Sequence, residues 1–189
     1  MKICIFGNKH LTKEFIELCF KEDIHIDTLV SIATSEVDSN QISGFDSDLV
    51  SYAKSIGCHI FLAKKYSLND QVSLNFFIEK KFDLGICLGW QRLIPEKILE
   101  VFSNGVFGWH GSLFKFPNGR GRSPINWSIR LGAKKIYLNF FRYDSQVDNG
   151  SLYETIDVDI EADEYVFDVQ KKMVVIQKNG FLRLISSIK

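Results

Sequence analysis

Apolar residues occur along this chain in two alternating patterns, which are short continuous runs and longer segments with helical spacing. The first run extends from Lys2 to Phe6 and ends at the turn residues Gly7-Asn8-Lys9, after which Leu11 to Phe20 shows helical spacing. The same alternation continues along the chain. It predicts an α/β fold, with a mostly parallel, twisted sheet, helices on both faces and right-handed crossovers.

The same two patterns, together with turn and capping residues, predict the remaining elements. Further strands are predicted at Ile26–Ile32, Cys58–Ala63, Leu84–Leu88, Ile136–Phe141 and Leu152–Val158. Further helices are predicted from Asp46 or Ser47 to Ile56, from a cap at Asn69 to about Lys80, from Pro95 to Phe102, from Pro124 to Leu131 and from Glu161 to about Lys178. The polar stretch from Ser35 to Ser47 is predicted to be a mobile surface loop.

Length and composition narrow the classes of function. A chain of 189 residues is long enough for one domain with a complete core. The 23 Lys plus Arg balance the 23 Asp plus Glu, and a net charge of zero argues against a general polyanion binder. Because no apolar run is long enough for a signal-peptide core or a membrane span, we expect a soluble, cytoplasmic protein. The cysteines lack the spacing of a metal or redox site, so no metal is expected.

The segment from Gly105 to Pro124 is the strongest candidate for chemistry. It is predicted to begin as a strand, Val106 to Trp109, which delivers His110 onto a loop rich in Gly, Pro and Asn. Open α/β sheets usually bind ligands at the carboxyl ends of their strands. Because the loop is also cationic and carries no acidic residue, it favours an anionic substrate. The cations are Lys115, Arg120 and Arg122.

The order of residues in and after this segment resembles a known family. His110-Gly111-Ser112-Leu113 is followed by Arg120-Gly121, by Pro124 and later by Asp148-Asn149-Gly150. This resembles the formyltransferases that use N10-formyltetrahydrofolate, whose signature runs Asn-x-His-x-Ser-Leu-Leu-Pro, Arg-Gly-x-x-Pro and Asp-x-Gly. The resemblance implies a Rossmann-like formyltransferase fold and an enzyme that moves a formyl group from N10-formyltetrahydrofolate to an amine without a metal.

The resemblance also implies catalytic roles. His110 would carry the proton between the attacking amine and the leaving nitrogen, and Asp148 would orient the imidazole and raise its basicity. The family has an Asn two residues before the histidine, where its amide helps to bind the formyl oxygen, but this chain has Gly108. Asn139, a backbone N–H, the protonated imidazole of His110 or water are the candidate replacements. Without one, the chain would be slow, or an inactive folate- or nucleotide-binding homologue.

Two segments correspond to the folate pocket of the family. The first is Gly89–Pro95, whose apolar side chains and backbone suit a flat heterocycle, although they could equally be core residues at the end of a strand. The second is the loop from Tyr143 to Asp148. The cofactor-binding candidates are Trp90, Arg92, Leu93, Ile94, Tyr143, Asp144 and Val147.

Candidates for binding the amine substrate lie in two places. The first turn precedes a helix N-terminus, which favours an anion, although it could also be a plain strand-to-helix turn. In the central loop, arginines offer bidentate donors to diphosphate or carboxylate. The substrate-binding candidates are Asn8, Lys9, His10, Trp109, Ser112, Arg120 and Arg122.

Three amines are compatible with the resemblance. The run Trp109-His110-Gly111-Ser112, followed by Gly119–Pro124, resembles the tRNA and sugar branches of the family more than its ribonucleotide branch. Because Trp109 and Trp127 add aromatic surface that suits a sugar face or a base, we favour an amino sugar carried on a nucleotide, as in making a surface polysaccharide or a flagellin glycan. Glycinamide ribonucleotide stays an alternative. Methionyl-tRNA is less favoured, because the tRNA enzyme has a second, RNA-contacting domain and we expect a single catalytic domain over 1–189. Nucleic-acid and membrane partners are not expected, and a homodimer is left open.

Overall fold

The computed structural model describes residues 1–33 and 42–188, and these divide into two compact units, 1–106 and 107–189. The first part of the loop predicted at 35–47, up to residue 41, lies outside the described residues.

The first unit alternates strands and helices as predicted. Its strands are β1 (Ile3–Phe6), β2 (Thr28–Ile32), β3 (His59–Ala63) and β4 (Leu84–Cys87). Its helices are α1 (His10–Lys21), α2 (Leu49–Ser55), α3 (Gln71–Lys80) and α4 (Glu96–Leu99). The strands lie in the order β3-β2-β1-β4, and their pairs are parallel. Each connection contains a helix, which is the crossover that a parallel pair needs.

The core of the first unit explains its strand sequences. Every residue of β1, β2 and β4 is buried, which is why these strands are nearly continuous apolar runs. Aromatic rings fill the space beside β1, where Phe6 stacks on Phe77 with centroids 5.6 Å apart and Phe102 lies 5.9 Å from both. Burial of such rings is the main stabilising contribution to a core of this kind.

Helix α2 begins at Leu49 after Asp48, and not after Asp46 or Ser47 as predicted. Two further helix starts in the first unit differ from the prediction. The cap of α3 is Asp70 and not Asn69, because the Asp70 carboxylate accepts a hydrogen bond of 2.9 Å from the Ser73 amide. Pro95 lies just before α4 as its cap residue, and α4 is a single turn that ends well before Phe102. Local sequence marks both regions as helical but does not decide between neighbouring capping residues.

The second unit contains antiparallel pairs that the sequence did not predict. Its strands are β5 (Val106–Ser112), β6 (Lys135–Tyr143) and β7 (Gly150–Asp159), and its helices are α5 (Pro124–Arg130) and α6 (Val166–Ser187). The β5–β6 and β6–β7 pairs are antiparallel. Only six residues join β6 to β7. That length permits a hairpin but not the crossover that a parallel pair requires.

Helix α6 begins and ends later than predicted. It starts after Tyr165, whose amide donates to the Asp168 carboxylate at 3.0 Å, and it continues to Ser187. Gly180 lies inside the helix, where an added Cβ would come within 2.7 Å of the Glu154 carboxylate. The glycine therefore allows α6 to lie close against β7. No helix in the described ranges is both long and apolar enough to cross a membrane.

Candidate active site

His110 lies inside strand β5, whereas the sequence predicted it on the loop that follows. The strand continues to Ser112 because β6 pairs with it along its full length, with His110 opposite Asn139 and Ser112 opposite Tyr137. The imidazole is 8% exposed. A strand residue is held more rigidly than a loop residue, which suits a group that must meet a reacting atom with little error.

Both ring nitrogens of His110 face oxygen acceptors. Nδ1 lies 3.5 Å from Oδ1 of Asp148, and Nε2 lies 2.7 Å from the carbonyl oxygen of Gly119. A neutral imidazole can donate from only one nitrogen, so both contacts are donor–acceptor pairs only when the ring is protonated. The site therefore brings together the histidine predicted to carry the proton and the carboxylate predicted to accompany it, although these residues are 38 positions apart in the chain.

Asp148 is held in a conformation that non-glycine residues rarely adopt. Its φ is 44°, in the left-handed region. Its second oxygen, Oδ2, accepts a 2.9 Å hydrogen bond from the Gly121 amide. In the same turn, the Asn149 amide donates to Asp144, and Arg120 donates to Asn149 Oδ1 at 2.7 Å. These bonds tie the turn after β6 to the loop after β5, and they stabilise the strained backbone at Asp148.

Ser112 and Asn139 are engaged with the backbone of that loop. The Ser112 hydroxyl donates to the Phe114 carbonyl at 2.8 Å, and it lies against Gly119. The fully buried Asn139 accepts from the Phe116 amide at 3.2 Å and from the Thr155 hydroxyl at 2.9 Å. Its own amide nitrogen lies 3.3 Å from three carbonyl oxygens, those of His110, Phe114 and Tyr137. Asn139 therefore positions the loop after β5. Its amide is occupied by these bonds, which corrects the prediction that it binds the formyl oxygen.

Trp109 does not lie on the His110 side of the sheet. Its indole stacks on Phe140 with ring centroids 4.2 Å apart, and it packs against the buried cluster that includes Ile136, Leu138 and Met173. Successive residues of a strand point to opposite faces, so Trp109 and His110 cannot both face the same ligand. This corrects the prediction that Trp109 contacts a sugar or base.

The two arginines of the loop have different surroundings. Arg120 is bound within the loop, where it donates to the Pro117 carbonyl at 3.1 Å and lies over the Phe116 ring. Arg122 is exposed. Of the two, Arg122 is therefore the better placed to bind an anion without giving up a contact within the protein.

Comparison with known proteins identifies the family. A family model described as "Formyl transferase" matches residues 1–185. The chain belongs to the formyl transferase family.

Individual proteins that are similar to this chain have different named activities. The chain is 28% identical over 122 residues to the methionyl-tRNA formyltransferase of Buchnera aphidicola (strain Tuc7), a match that covers 65% of this chain and 38% of that protein. The chain thus spans well under two thirds of the length of this curated relative. Phosphoribosylglycinamide formyltransferase from Streptococcus pneumoniae has a TM-score of 0.76, 14% identity, and coverage of 99% of this chain and 98% of its own.

A third relative is the sugar 3N-formyl transferase WlaRD, solved in the presence of dTDP and 5-N-formyl-THF. It has a TM-score of 0.65 and 17% identity, and the match covers 100% of this chain and 62% of WlaRD. At these identities the structural similarities establish the fold alone. They confirm the predicted α/β formyltransferase fold.

The departure of this chain from the family signature at Gly108 has a structural explanation. A Cβ added at Gly108 would lie 2.6 Å from Cε1 and Cζ of Tyr143 and closer still to its hydroxyl. Tyr143 stacks on Phe141, and Phe141 stacks on Phe116, each pair with centroids 5.1 Å apart. The family asparagine and this tyrosine therefore cannot occupy the same space. Sequence reasoning assigned Tyr143 only to the wall of the folate pocket.

The folate candidates of the first unit gather around Tyr66, a residue that sequence reasoning missed. Trp90 meets the Tyr66 ring edge-on at 4.6 Å, and the Arg92 guanidinium lies 4.9 Å from its centroid. The Tyr66 hydroxyl accepts from the amides of Asn8 and Gln91 at 2.9 and 3.0 Å. Burial raises the pKa of Tyr66, so the phenol keeps its proton over a wider pH range. A lone tyrosine between a strand and a helix carries no sequence signal of such a role.

The other predicted folate-binding residues differ in their exposure to solvent. Ile94 is buried, whereas Leu93 is 50% exposed. In the second unit, Asp144 accepts from the Gln146 amide within the turn, and Val147 is exposed. An exposed apolar side chain beside a buried neighbour is compatible with contact to a flat ligand, and Leu93, next to Ile94, meets that description.

The predicted anion site in the first turn is partly closed by protein groups. The His10 amide donates to the Gly44 carbonyl at 3.0 Å, which occupies a donor at the start of α1. Burial lowers the pKa of Lys9. Asn8 is fully buried, and its Oδ1 has no hydrogen-bond partner among the described residues. An unpaired buried acceptor favours a donor group on a ligand rather than a phosphate oxygen.

Across residues 1–33 and 42–188, no group of three or more His, Cys, Asp or Glu side chains could hold a metal ion.

Proposed function

We propose that this chain transfers a formyl group from N10-formyltetrahydrofolate to an amine. The observation that carries the proposal is the buried His110, whose Nδ1 faces the Asp148 carboxylate at 3.5 Å. Both residues lie in the part of the chain that matches the formyl transferase family. A histidine carries protons near neutral pH, and a carboxylate beside it favours the tautomer protonated at Nδ1. For Nε2 to accept a proton, the amine substrate must take the place of the Gly119 carbonyl, which lies 2.7 Å from Nε2.

The proposed chemistry uses the groups of the second unit in sequence. The unprotonated amine attacks the formyl carbon, and His110 takes the proton that the amine nitrogen loses. Asp148 stabilises the resulting imidazolium by its negative charge. When the tetrahedral centre collapses, His110 returns the proton to the folate nitrogen that leaves. The Gly119 carbonyl is an acceptor for the same imidazolium at Nε2 in the present arrangement.

For the amine we propose an amino sugar carried on a nucleotide. The exposed Arg122 offers a bidentate donor to a diphosphate. The similarity to a sugar 3N-formyl transferase solved with dTDP supports the same choice. Glycinamide ribonucleotide is the second candidate, because the phosphoribosylglycinamide formyltransferase from Streptococcus pneumoniae matches this chain over nearly the full length of both.

The test is transfer to a panel of amines. The protein is incubated with N10-formyltetrahydrofolate and, separately, with nucleotide-linked amino sugars, glycinamide ribonucleotide and methionyl-tRNA, and tetrahydrofolate release and the mass gain of one formyl group are measured. We expect transfer to a nucleotide-linked amino sugar. We expect His110→Asn and Asp148→Asn each to reduce turnover by about 10²–10⁴-fold, the typical contribution of a general acid–base group.

Matched controls separate chemistry from folding. His25→Asn and Asp163→Asn change an exposed histidine and an exposed aspartate, and both should keep full turnover. Folate binding without transfer to any amine would overturn the proposed activity and establish a binding homologue. Transfer to glycinamide ribonucleotide or methionyl-tRNA alone would overturn the sugar assignment and keep the formyl transfer.

A further inference from the structure

Position 108 lies on the same face of strand β5 as the proton carrier. Side chains two residues apart in a strand point to the same side, and their Cα atoms are about 7 Å apart. A side chain at 108 would therefore project beside the His110 imidazole. In this chain Gly108 has no side chain, and the ring of Tyr143 fills the space that its Cβ would enter.

Tyr143 reaches this place from the neighbouring strand and is held there by stacking. Phe141 lies directly opposite Gly108 in the β5–β6 pair, and Tyr143 follows it by two residues on the same face. The two rings stack at 5.1 Å with 25° between their planes. The stacked ring limits the motion of the hydroxyl, so little ordering is needed when a ligand arrives.

A tyrosine hydroxyl supplies the chemistry that an asparagine amide would supply. It has one O–H donor, and it can bind a carbonyl oxygen more tightly as that oxygen becomes negative. Positions 108 and 110 lie on one face of β5 with their Cα atoms about 7 Å apart, so the Tyr143 hydroxyl beside Gly108 and the His110 imidazole are neighbours on that face.

We propose that the Tyr143 hydroxyl takes the place of the missing amide at position 108 and donates a hydrogen bond to the formyl oxygen. This inference rests on the proposed formyl transfer. The amine forms a C–N bond to the formyl carbon, the carbonyl π electrons move to the oxygen bound by Tyr143, and the amine proton passes to His110. The C=O bond then re-forms and the bond to the folate nitrogen breaks. That nitrogen keeps the electron pair and receives the proton from His110.

Tyr143→Phe tests the inference because it removes only the hydroxyl and keeps the stacked ring. With any amine that the wild-type protein formylates, we expect kcat to fall by about 10²–10³-fold, the usual effect of removing one donor to an oxyanion, with little change in the KM for the amine. Tyr153→Phe is the matched control. Tyr153 packs edge-on against Phe107 and Phe140 in the same unit, and its variant should turn over normally.

A binding measurement makes the test independent of the amine. The wild-type protein should bind 10-formylfolate more tightly than folate by about three- to tenfold, the value of one neutral hydrogen bond. Tyr143→Phe should lose this preference and keep its affinity for folate. A role for the ring in structure alone would not change the preference for the formyl group.

The outcomes separate this inference from the proposed function. Wild-type turnover that His110→Asn abolishes and Tyr143→Phe leaves unchanged would overturn the role of Tyr143 and keep the formyl transfer. If Tyr143→Phe still binds 10-formylfolate more tightly than folate, the role of Tyr143 is overturned and the formyl transfer is kept. A wild-type protein that neither binds 10-formylfolate nor transfers a formyl group would overturn both.

Discussion

Asn139 shows how one buried side chain can organise the surroundings of a reacting group. Its amide joins the backbone of β5, the loop after it and the Thr155 hydroxyl on β7. Because the side chain is fully buried, water cannot replace these bonds when it is removed. The loop that carries Gly119, whose carbonyl faces His110, therefore depends on Asn139 for its position.

We expect Asn139→Leu to lower the free energy of unfolding by about 2 kcal/mol, because it leaves the partly buried Phe116 amide and Thr155 hydroxyl without partners. Urea denaturation measures the change. Asn126→Leu, at an exposed position of α5, is the control and should change stability by less than about 0.5 kcal/mol. Equal stability of Asn139→Leu and the wild type would contradict the role assigned to Asn139.

Cys58 makes stability depend on pH in the alkaline range. Burial, followed by the nearby Asp27 charge, raises the pKa of its thiol from 9.0 to about 11. The unfolded chain loses this proton first, so it binds fewer protons than the folded chain between these values. Stability should therefore fall as pH rises from about 9 towards 11. Cys58→Ala should show a shallower fall in urea denaturation at pH 8.5, 9.5 and 10.5. If stability falls as steeply with pH in the variant as in the wild type, Cys58 is not the cause of the pH dependence.

Helix α3 illustrates how a single capping residue determines where an element begins. The extended backbone of Asp70 places its carboxylate over the Ser73 amide, and the Ser73 hydroxyl donates to it as well, at 2.8 Å. These bonds satisfy donors that the helix itself leaves unpaired. Burial raises the pKa of the Asp70 carboxyl, but the bonds from Ser73 outweigh it, and the pKa lies below its ordinary value.

Asp70→Ala should cost about 1 kcal/mol of stability at neutral pH, the usual value of an N-cap. Asn69→Ala, one residue earlier, is the control and should be close to neutral. The depressed pKa means that the contribution is present above the ordinary carboxyl pKa and is lost as pH falls through the folded value. Thermal unfolding at pH 7 and at pH 3 measures both effects. A larger loss of stability for Asn69→Ala than for Asp70→Ala would identify Asn69 as the cap, as the sequence predicted.

The chain as a whole is electrically balanced. The formyl transferase family model extends across both compact units, from residue 1 to 185, and the 23 basic residues equal the 23 acidic ones. A protein without net charge has little long-range attraction for polyanions and little repulsion between its own copies. Any recognition of a phosphorylated substrate must therefore come from local groups such as Arg122.

Solubility should be lowest near pH 7, where the net charge is zero, and should rise on both sides. Precipitation by polyethylene glycol at pH 5.5, 7 and 8.5 measures this. Lys64→Glu, at an exposed position, adds negative charge and should move the minimum to lower pH. A solubility that changes steadily in one direction across this range would contradict the expectation.

The sequence by itself predicted the alternation of strands and helices, the helix that begins at Pro124, and the two residues, His110 and Asp148, that the fold brings together. These features depend on short-range patterns and on a spaced motif, both of which are visible along the chain. The single-domain prediction for 1–189 and the sugar substrate stay predictions.

Only the tertiary structure decided the surroundings of those residues. Pairing with β6 extended β5 through His110, turned Trp109 to the opposite face and placed Tyr143 over Gly108. In the first unit, the fold likewise brings Tyr66 to Asn8, 58 residues away. The physical reason is that the direction of a strand and the contacts of its side chains are set by partners distant in sequence, and periodicity within one segment carries no information about them. Gly108 therefore looked like a missing donor in the sequence, whereas in the fold it is the space that a tyrosine fills.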